Sequence, residues 1–430
     1  MLRLATVFSG IGAIEHTLER MSIPHKVVFA CDNGDIELPY KREEIEEMLN
    51  PLSSPLERKA FIDNLYIENR KTNFVEKSYF ANYDVSREQF YQDVRFIDGT
   101  LYENEVDLFV GGSPCQSFSM VGKRGGFDDT RGTLFYEFAR LVKEIQPRVF
   151  IYENVKGVMS HDQGNTWTIM QNVFDELGYS WDYKILNAKN YGIPQNRERL
   201  FVVGFRKNNV NFEFPEPFEL EKTMQDFLLE NTPEKYYLGK KGIEFVTNPK
   251  NIKKQYTQIN GEIGLCQKAN QQFNWHGDFV FEEVQEQSKN PELIEEKYYL
   301  SDKLIDYVLA SGTKNFYSKP QIDLEIARPL LATMTKMHRA GVDNYVTTRG
   351  RIRKLTPREC LRLMGFCDSF KIEVSDTQMY RQAGNSIVVD VLIALMNQIL
   401  EAEDITKDPT QEQLTIDSFL SLTKDISVNL

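Results

Sequence analysis

Short apolar runs ending in glycine or an acid recur through the first half of the chain, with segments of helical spacing between them. "LATVFSG" starts at Leu4, "HKVVFACD" at His25, "VDLFVGGSP" at Val106 and "RVFIYENV" at Arg148. "YKILNAKNYG" from Tyr183 and "RLFVVGF" from Arg199 complete six candidate strands. "IEHTLERM", "TLFYEFARLVKEI" and "TWTIMQNVFDELG" are the helical stretches among them. Strands alternating with helices indicate a doubly wound, mostly parallel α/β sheet, Rossmann-like in architecture.

That pattern occupies residues 1–220, with a long, charged, helix-favouring insertion at about 36–90. Beyond it the alternation stops. Residues 221–350 read as a second, smaller domain and hinge, and 351–402 as a return to the first. The return carries "AGNSIVVDVLIALMNQIL", read as one strong amphipathic helix, and 403–430 is a polar extension expected to be peripheral. A hydrophobic content of 41% over 430 residues is enough for a full core. No run is read as a membrane span, and the N-terminus lacks the shape of a secretory signal. Five cysteines without a CxxC pair favour neither a disulfide framework nor a metal site, so a reducing cytoplasm is expected.

The net charge of −12 speaks against nucleic acid as a partner in bulk. Charge can be local, however. From residue 328 to 362 there are nine Lys or Arg against two acids, Asp343 and Glu359. This stretch faces either phosphate or plain solvent; composition leaves both open.

Ligands of a doubly wound sheet bind beyond the carboxyl ends of its strands. "FSGIGAIE" is such an end, where Gly10 and Gly12 let backbone amides approach a ligand. Its sixth motif position is Glu15 rather than the glycine of a dinucleotide fingerprint. Asp32 closes the second strand at the spacing where a carboxylate meets a ribose. An adenosine-type cofactor without pyrophosphate fits both. "GGSPCQSF" presents a thiol, Cys115, on a loop rather than inside an apolar run. Glu153 in "YENV" and Arg197 and Arg199 in "QNRERL" lie at further strand ends. Singly, each has an ordinary explanation: an inert thiol, a capping acid, a solvated turn. Together they can attack, protonate and orient one planar polar substrate.

In these motifs the chain resembles the cytosine-5 DNA methyltransferases, especially those of bacterial type II restriction-modification systems. "FSGIGA", "ACD", "QDV", "GGSPCQSFS", "GFDDTRGTLFYE", "ENVKGV", "NAKNYGIPQNRERLFVVGF", "LTPRECLRLMGF" and "QAGNSIV" occur in the family's order. The resemblance implies an S-adenosylmethionine-dependent methyltransferase fold with a target-recognition domain. It also implies methyl transfer from S-adenosyl-L-methionine to C5 of a flipped-out cytosine in duplex DNA. By that resemblance Cys115 adds to C6, Glu153 holds the N3 and amino edge, Arg199 the carbonyl, and Arg197 the surroundings of the thiol. Phe8, Ser9, Gly10, Ile11, Gly12, Asp32, Asp93, Val94, Pro114, Leu134, Asn385 and Ser386 would bind the cofactor, with Asp93 on the adenine amino group. Asn33 stands where many relatives have an aromatic residue. Gln116, Ser119 and Arg131 would approach DNA.

Lys314, Lys336, His338 and Arg339, on Gly-containing stretches of the second domain, are candidate base or phosphate contacts. The expected protein is a cytoplasmic monomer that binds no metal and no membrane, with a cognate restriction endonuclease as a companion. An RNA cytosine-5 methyltransferase of the same fold and a catalytically silent DNA-binding protein are the alternatives; a nicotinamide dehydrogenase is disfavoured by the broken glycine fingerprint.

Overall fold

The computed structural model describes residues 1–114, 134–208, 210–229, 240–253, 257–259, 277–279, 324–331, 344–348 and 351–407. Seven strands form one sheet: β1 (Leu2–Val7), β2 (His25–Cys31), β3 (Phe90–Tyr91), β4 (Leu108–Gly111), β5 (Val149–Val155), β6 (Ser180–Asn187) and β7 (Glu198–Phe205). Their order is β3-β2-β1-β4-β5-β7-β6. β7 alone runs against its neighbours, antiparallel to both β5 and β6, while the other pairings are parallel. The strand order reverses between β1 and β4. The loops after these two strands, "FSGIG" and "GGSP", therefore open into the same crevice.

The central strands are apolar on both faces because both are covered. Leu4, Val110 and Ile151 face a cluster shared with α1 (Ala13–Arg20). Ala5, Val7, Phe109, Phe150 and Tyr152 face the other cluster. The inserted region holds α2 (Arg42–Leu49), α3 (Pro55–Glu68) and α4 (Phe74–Asn82). The second face is covered by α5 (Leu134–Ile145) and α6 (Asn165–Glu176). Short pieces follow: α7 (Lys240–Val246), α8 (Pro249–Lys253), a parallel pair β8 (Thr257–Ile259) with β9 (Gly277–Phe279), and an antiparallel pair β10 (Tyr345–Thr348) with β11 (Arg351–Lys354). The chain returns through α9 (Pro357–Arg362), α10 (Asp376–Asn385) and α11 (Val389–Ala402), the last two joining the β1-side core.

Several expectations change. The insertion is shorter than 36–90, because α4 and β3 belong to the main fold: Tyr79 and Phe90 are buried in its core, and Phe90 pairs with Ala30. Ile36, Ile45, Leu49, Ile62, Leu65 and Tyr66 form a small core of their own, so α2 and α3 are the true addition. "AGNSIVVDVLIALMNQIL" is not one helix. The backbone turns extended at Ser386 (φ −71°, ψ 159°) and Val388 (φ −76°, ψ 121°), which separates α10 from α11. Residues 376–402 are long and apolar enough to cross a membrane, but that break and 56% burial of the window make them core elements.

The hairpin β10–β11 straddles the expected boundary at 350/351. Leu324, Ala327 and Leu330, inside the expected recognition domain, are buried in the catalytic core, and Ala327 bridges to Gln195. The start of the C-terminal extension is not peripheral either. Arg148, 5% exposed, bonds the Glu403 carboxylate and the carbonyls of Ile405 and Lys407, so residues 403–407 are pinned beneath the sheet.

The basic stretch is only partly a surface. Arg328 is fully buried. Arg358 donates to the carbonyls of Cys367 and Phe370, while Arg362 pairs with Asp368 and donates to the carbonyl of Leu228. Arg358 and Arg362 stabilise the return segment, and the burial of Arg328 keeps it from facing phosphate.

Candidate active site

Strand β1 ends in a backbone that few side chains tolerate. Phe8, Gly10 and Gly12 all take positive φ, at 55°, 55° and 75°. A positive φ at an aromatic residue costs of order 1–3 kcal/mol, and such strain concentrates at ligand sites. At Gly12 a Cβ would lie 2.2 Å from the Tyr83 ring, whose hydroxyl donates to the Gly12 carbonyl at 2.7 Å. The turn lets the Gly10 amide donate to Asp32 Oδ2 at 2.9 Å, while the Gly34 amide donates to Oδ1 at 2.8 Å. Asp32 is thus held rigidly at the end of β2.

Burial raises the Asp32 carboxyl to about 6, against the lowering effect of these two amides. A ribose hydroxyl donates best to the ionised form. Cofactor affinity is therefore expected to be full above about pH 6 and to fall up to ~10-fold per unit below it. Titration of cofactor binding between pH 4.5 and 8 checks this; a flat profile would remove Asp32 from the site.

On the other side of the crevice, β4 ends in Gly111, and Gly112 follows it. A Cβ on Gly112 would sit 2.9 Å from Glu153 Oε2, so glycine is what lets this loop pass over the carboxylate. Glu153, on β5, pairs with Arg199 of β7 through Nε at 3.1 Å, and both side chains are largely buried. Burial raises the Glu153 carboxyl; Arg199 and then Arg197 oppose this. Phe8, Ser9, Gly10, Gly111, Gly112, Glu153, Asn385, Ser386 and Ile387 line a single pocket. The glycine loop and Glu153 therefore border one cavity.

A family model for the C-5 cytosine-specific DNA methylases matches residues 51–401. The chain belongs to this family. It transfers a methyl group from S-adenosylmethionine to C5 of cytosine in DNA. The type II methyltransferase M.HhaI of Haemophilus parahaemolyticus is 35% identical over 66% of this chain and 73% of its own. M.HpaII of Haemophilus parainfluenzae is 34% identical over 76% and 80%. The orphan methyltransferase M.SPRI of Bacillus phage SPR is 29% identical over 93% and 97%. Among solved structures, an Entamoeba histolytica methyltransferase superposes with a TM-score of 0.55 at 15% identity, covering 93% of this chain and 98% of that one. Dnmt2 of S. pombe superposes with a TM-score of 0.52 at 16% identity, covering 93% and 99%. These two likenesses are of fold.

The residues at the glycine loop suit the cofactor of a C-5 cytosine methylase. Thr6 and Ser9 hydroxyls, 2.7 Å apart, face the pocket, and behind them Glu15 is fully buried with Oε2 unpartnered among the described residues. Burial raises the Glu15 carboxyl, and its free oxygen is a polar group held behind the glycine loop.

Not every candidate faces the pocket. Ile11 is a core residue with no exposure. Val94 is buried, and its carbonyl accepts from Arg140. Pro114 is exposed and Leu134 half-buried at the ends of the described loop stems. Arg197 is a buried residue. It is 3% exposed, and it donates to the carbonyls of Leu330, Gly384 and Ser386 at 3.0, 3.0 and 2.8 Å. It bonds both sides of the break between α10 and α11, beside the Asn385–Ile387 segment of the pocket wall. Asp93 is already engaged by Arg95 and Tyr66. Cys115, Gln116, Ser119, Arg131, Lys314, Lys336, His338 and Arg339 lie outside the described residues.

Three contributors escaped the sequence reading. Asn154 donates to the Ser113 carbonyl at 3.1 Å and to the Tyr152 hydroxyl at 2.8 Å, and that hydroxyl lies 2.7 Å from Ser113 Oγ. This ties the root of the Cys115 loop to β5. Gln195, fully buried, joins Leu330 to Leu363. Tyr66 is the third. Asn154 in "ENV" and Gln195 at the head of "QNRERL" stood inside visible motifs; Tyr66 had no such signal.

Proposed function

We propose that Cys115, Glu153 and Arg199 form the reaction centre for a cytosine turned out of duplex DNA. The single observation that carries this is the shared pocket: Glu153 lines the same cavity as the Phe8–Gly10 loop. C5 of cytosine is a poor nucleophile. Thiolate addition from Cys115 at C6 moves electron density to C5, which takes the methyl group. Loss of the C5 proton then expels the thiolate and restores the ring. S-adenosylmethionine supplies the electrophilic methyl and leaves as a neutral thioether. Glu153 holds the N3 and amino edge, and its burial keeps a proton available for N3. Arg199 holds the carbonyl and orients Glu153.

In this reading, residues 221–350 carry sequence recognition, with Lys314, Lys336, His338 and Arg339 as base or phosphate contacts. The protein acts as a monomer in a bacterial cytoplasm. A companion restriction endonuclease is supported by the type II relatives; the phage relative that spans nearly the whole chain carries the name orphan.

Bisulfite sequencing of DNA from cells expressing the protein tests the whole reading. We expect conversion-resistant cytosine at one position of one short motif. Resistance at no motif, with methylated tRNA instead, would refute it.

A further inference from the structure

Behind the glycine loop lies an acid that the transfer reaction does not use. Glu15, in the first turn of α1, is fully buried. Its Oε1 accepts from the Tyr79 hydroxyl of α4 at 2.5 Å and from the Thr6 hydroxyl of β1 at 3.2 Å. Its Oε2 is buried with no partner among the described residues. Thr6 Oγ1 lies 2.7 Å from Ser9 Oγ, and Thr6 and Ser9 both line the pocket that Glu153 borders. The carboxyl thus stands one hydroxyl behind the pocket wall.

Among the described residues no cationic side chain bonds Glu15. Tyr79 donates to it, Tyr83 spends its hydroxyl on the Ile11 and Gly12 carbonyls, and His25 of β2 attracts it more weakly than either hydroxyl donor. On its own helix, Glu19 lies 3.5 Å from His16, and Arg20 pairs with Asp390 of α11. Without a counter-charge, burial holds the carboxyl above its ordinary range, against the Tyr79 and Thr6 hydroxyls. The charge of such a group is decided by what arrives beside it. A unit positive charge within about 10 Å, at an effective dielectric of about 20, favours the ionised form about tenfold.

We propose that Glu15 is the residue by which the site tells S-adenosylmethionine from S-adenosylhomocysteine, giving up its proton when the sulfonium enters and keeping it when the ligand is the neutral thioether. This rests on the reading that the cofactor occupies the pocket at the glycine loop. The two ligands differ by one methyl group and the charge it brings; their adenosine, ammonium and carboxylate ends are the same. The O–H bond of the acid breaks, the proton passes to water by way of the Thr6 and Ser9 hydroxyls, and Tyr79 and Thr6 hold the carboxylate left behind. Glu15 acts through those hydroxyls, so it is a positioning residue, not a catalytic one. Once the methyl group has left, the carboxylate regains its proton and its attraction for the ligand ends, which loosens the product.

The test measures the affinity of the full-length protein for each ligand, without DNA, between about pH 5.5 and 9. The quantity read is the ratio of the two affinities, which cancels groups that act alike on both ligands, Asp32 among them. As pH rises through the raised range of Glu15, S-adenosylmethionine is expected to gain about tenfold on S-adenosylhomocysteine. Calorimetry in two buffers of different ionisation heat should show more protons released with S-adenosylmethionine than with S-adenosylhomocysteine in that range. Glu15→Gln keeps the size and cannot ionise, so its ratio should be flat and the extra proton absent. Tyr79→Phe removes a donor to the carboxylate, so the rise should move to higher pH; this variant answers even if Glu15→Gln fails to fold. Glu153→Gln should keep the rise. A rise that survives in Glu15→Gln, stays at the parent pH in Tyr79→Phe or vanishes in Glu153→Gln would overturn the proposal. Phe8→Ala, which alters the pocket wall itself, separates the two levels. Weakened binding of both ligands keeps the reading of the pocket whatever Glu15 does, whereas unchanged binding of both would remove that reading and the proposal with it.

Discussion

Replacing Cys115 by serine is expected to abolish methyl transfer while cofactor binding stays within about twofold. The reaction needs a nucleophile at C6. A thiol has an ordinary pKa near 8.5, and a few per cent is thiolate at neutral pH before any activation. A serine hydroxyl is far less acidic, so the population able to add to the ring all but vanishes. The cofactor loop is unaffected, because Phe8–Gly12 is held by its own turn, by Asp32 and by Tyr83. Radiolabelled methyl transfer and cofactor titration separate the two effects. Turnover at the parent rate in Cys115→Ser would refute covalent addition.

The second large effect is expected from Glu153→Gln, a loss of ~10² to 10⁴ in single-turnover rate with DNA binding retained. Glutamine keeps the shape and can hydrogen-bond the cytosine edge, but it has no proton to transfer to N3. The pocket wall should tolerate the change. Gly112 leaves room for the oxygens, and Arg199 still has the Glu198 carbonyl to bond. The pH profile provides a second reading. Burial raises the Glu153 carboxyl, so the protonated acid is present toward low pH and lost as pH rises through its raised value. The parent rate should fall on that alkaline side, and Glu153→Gln should lose that limb. A variant slowed less than about fivefold would rule out the acid role.

Much of this was legible along the chain. Six of the seven sheet strands stand out as apolar runs; β1, β4 and β5 do so because central parallel strands are covered on both faces and need apolar residues throughout. The glycine loop, Asp32 and Glu153 are legible for a related reason: strand ends are where a doubly wound sheet places ligands, so chemical residues there are conspicuous.

What escaped the sequence was set by partners distant in the chain. The strand β3 is two residues long, too short for any periodicity, and exists because β2 offers it an edge. The segment 383–400 has an unbroken apolar pattern and reads as one helix. At its break the Ser386 carbonyl accepts from Arg197, which lies 189 residues earlier. Arg328 looks like one more charge in a basic stretch, yet it is fully buried. Tyr66 sits in a charged helical insertion with no motif around it, and only its packing brings the hydroxyl to Asp93, 27 residues on. Local spacing determines which residues can form a strand or a helix and which strand ends can carry chemistry. Which charge is buried, where a helix must break and which donor fills a carboxylate depend on groups that meet only after the sheet has assembled.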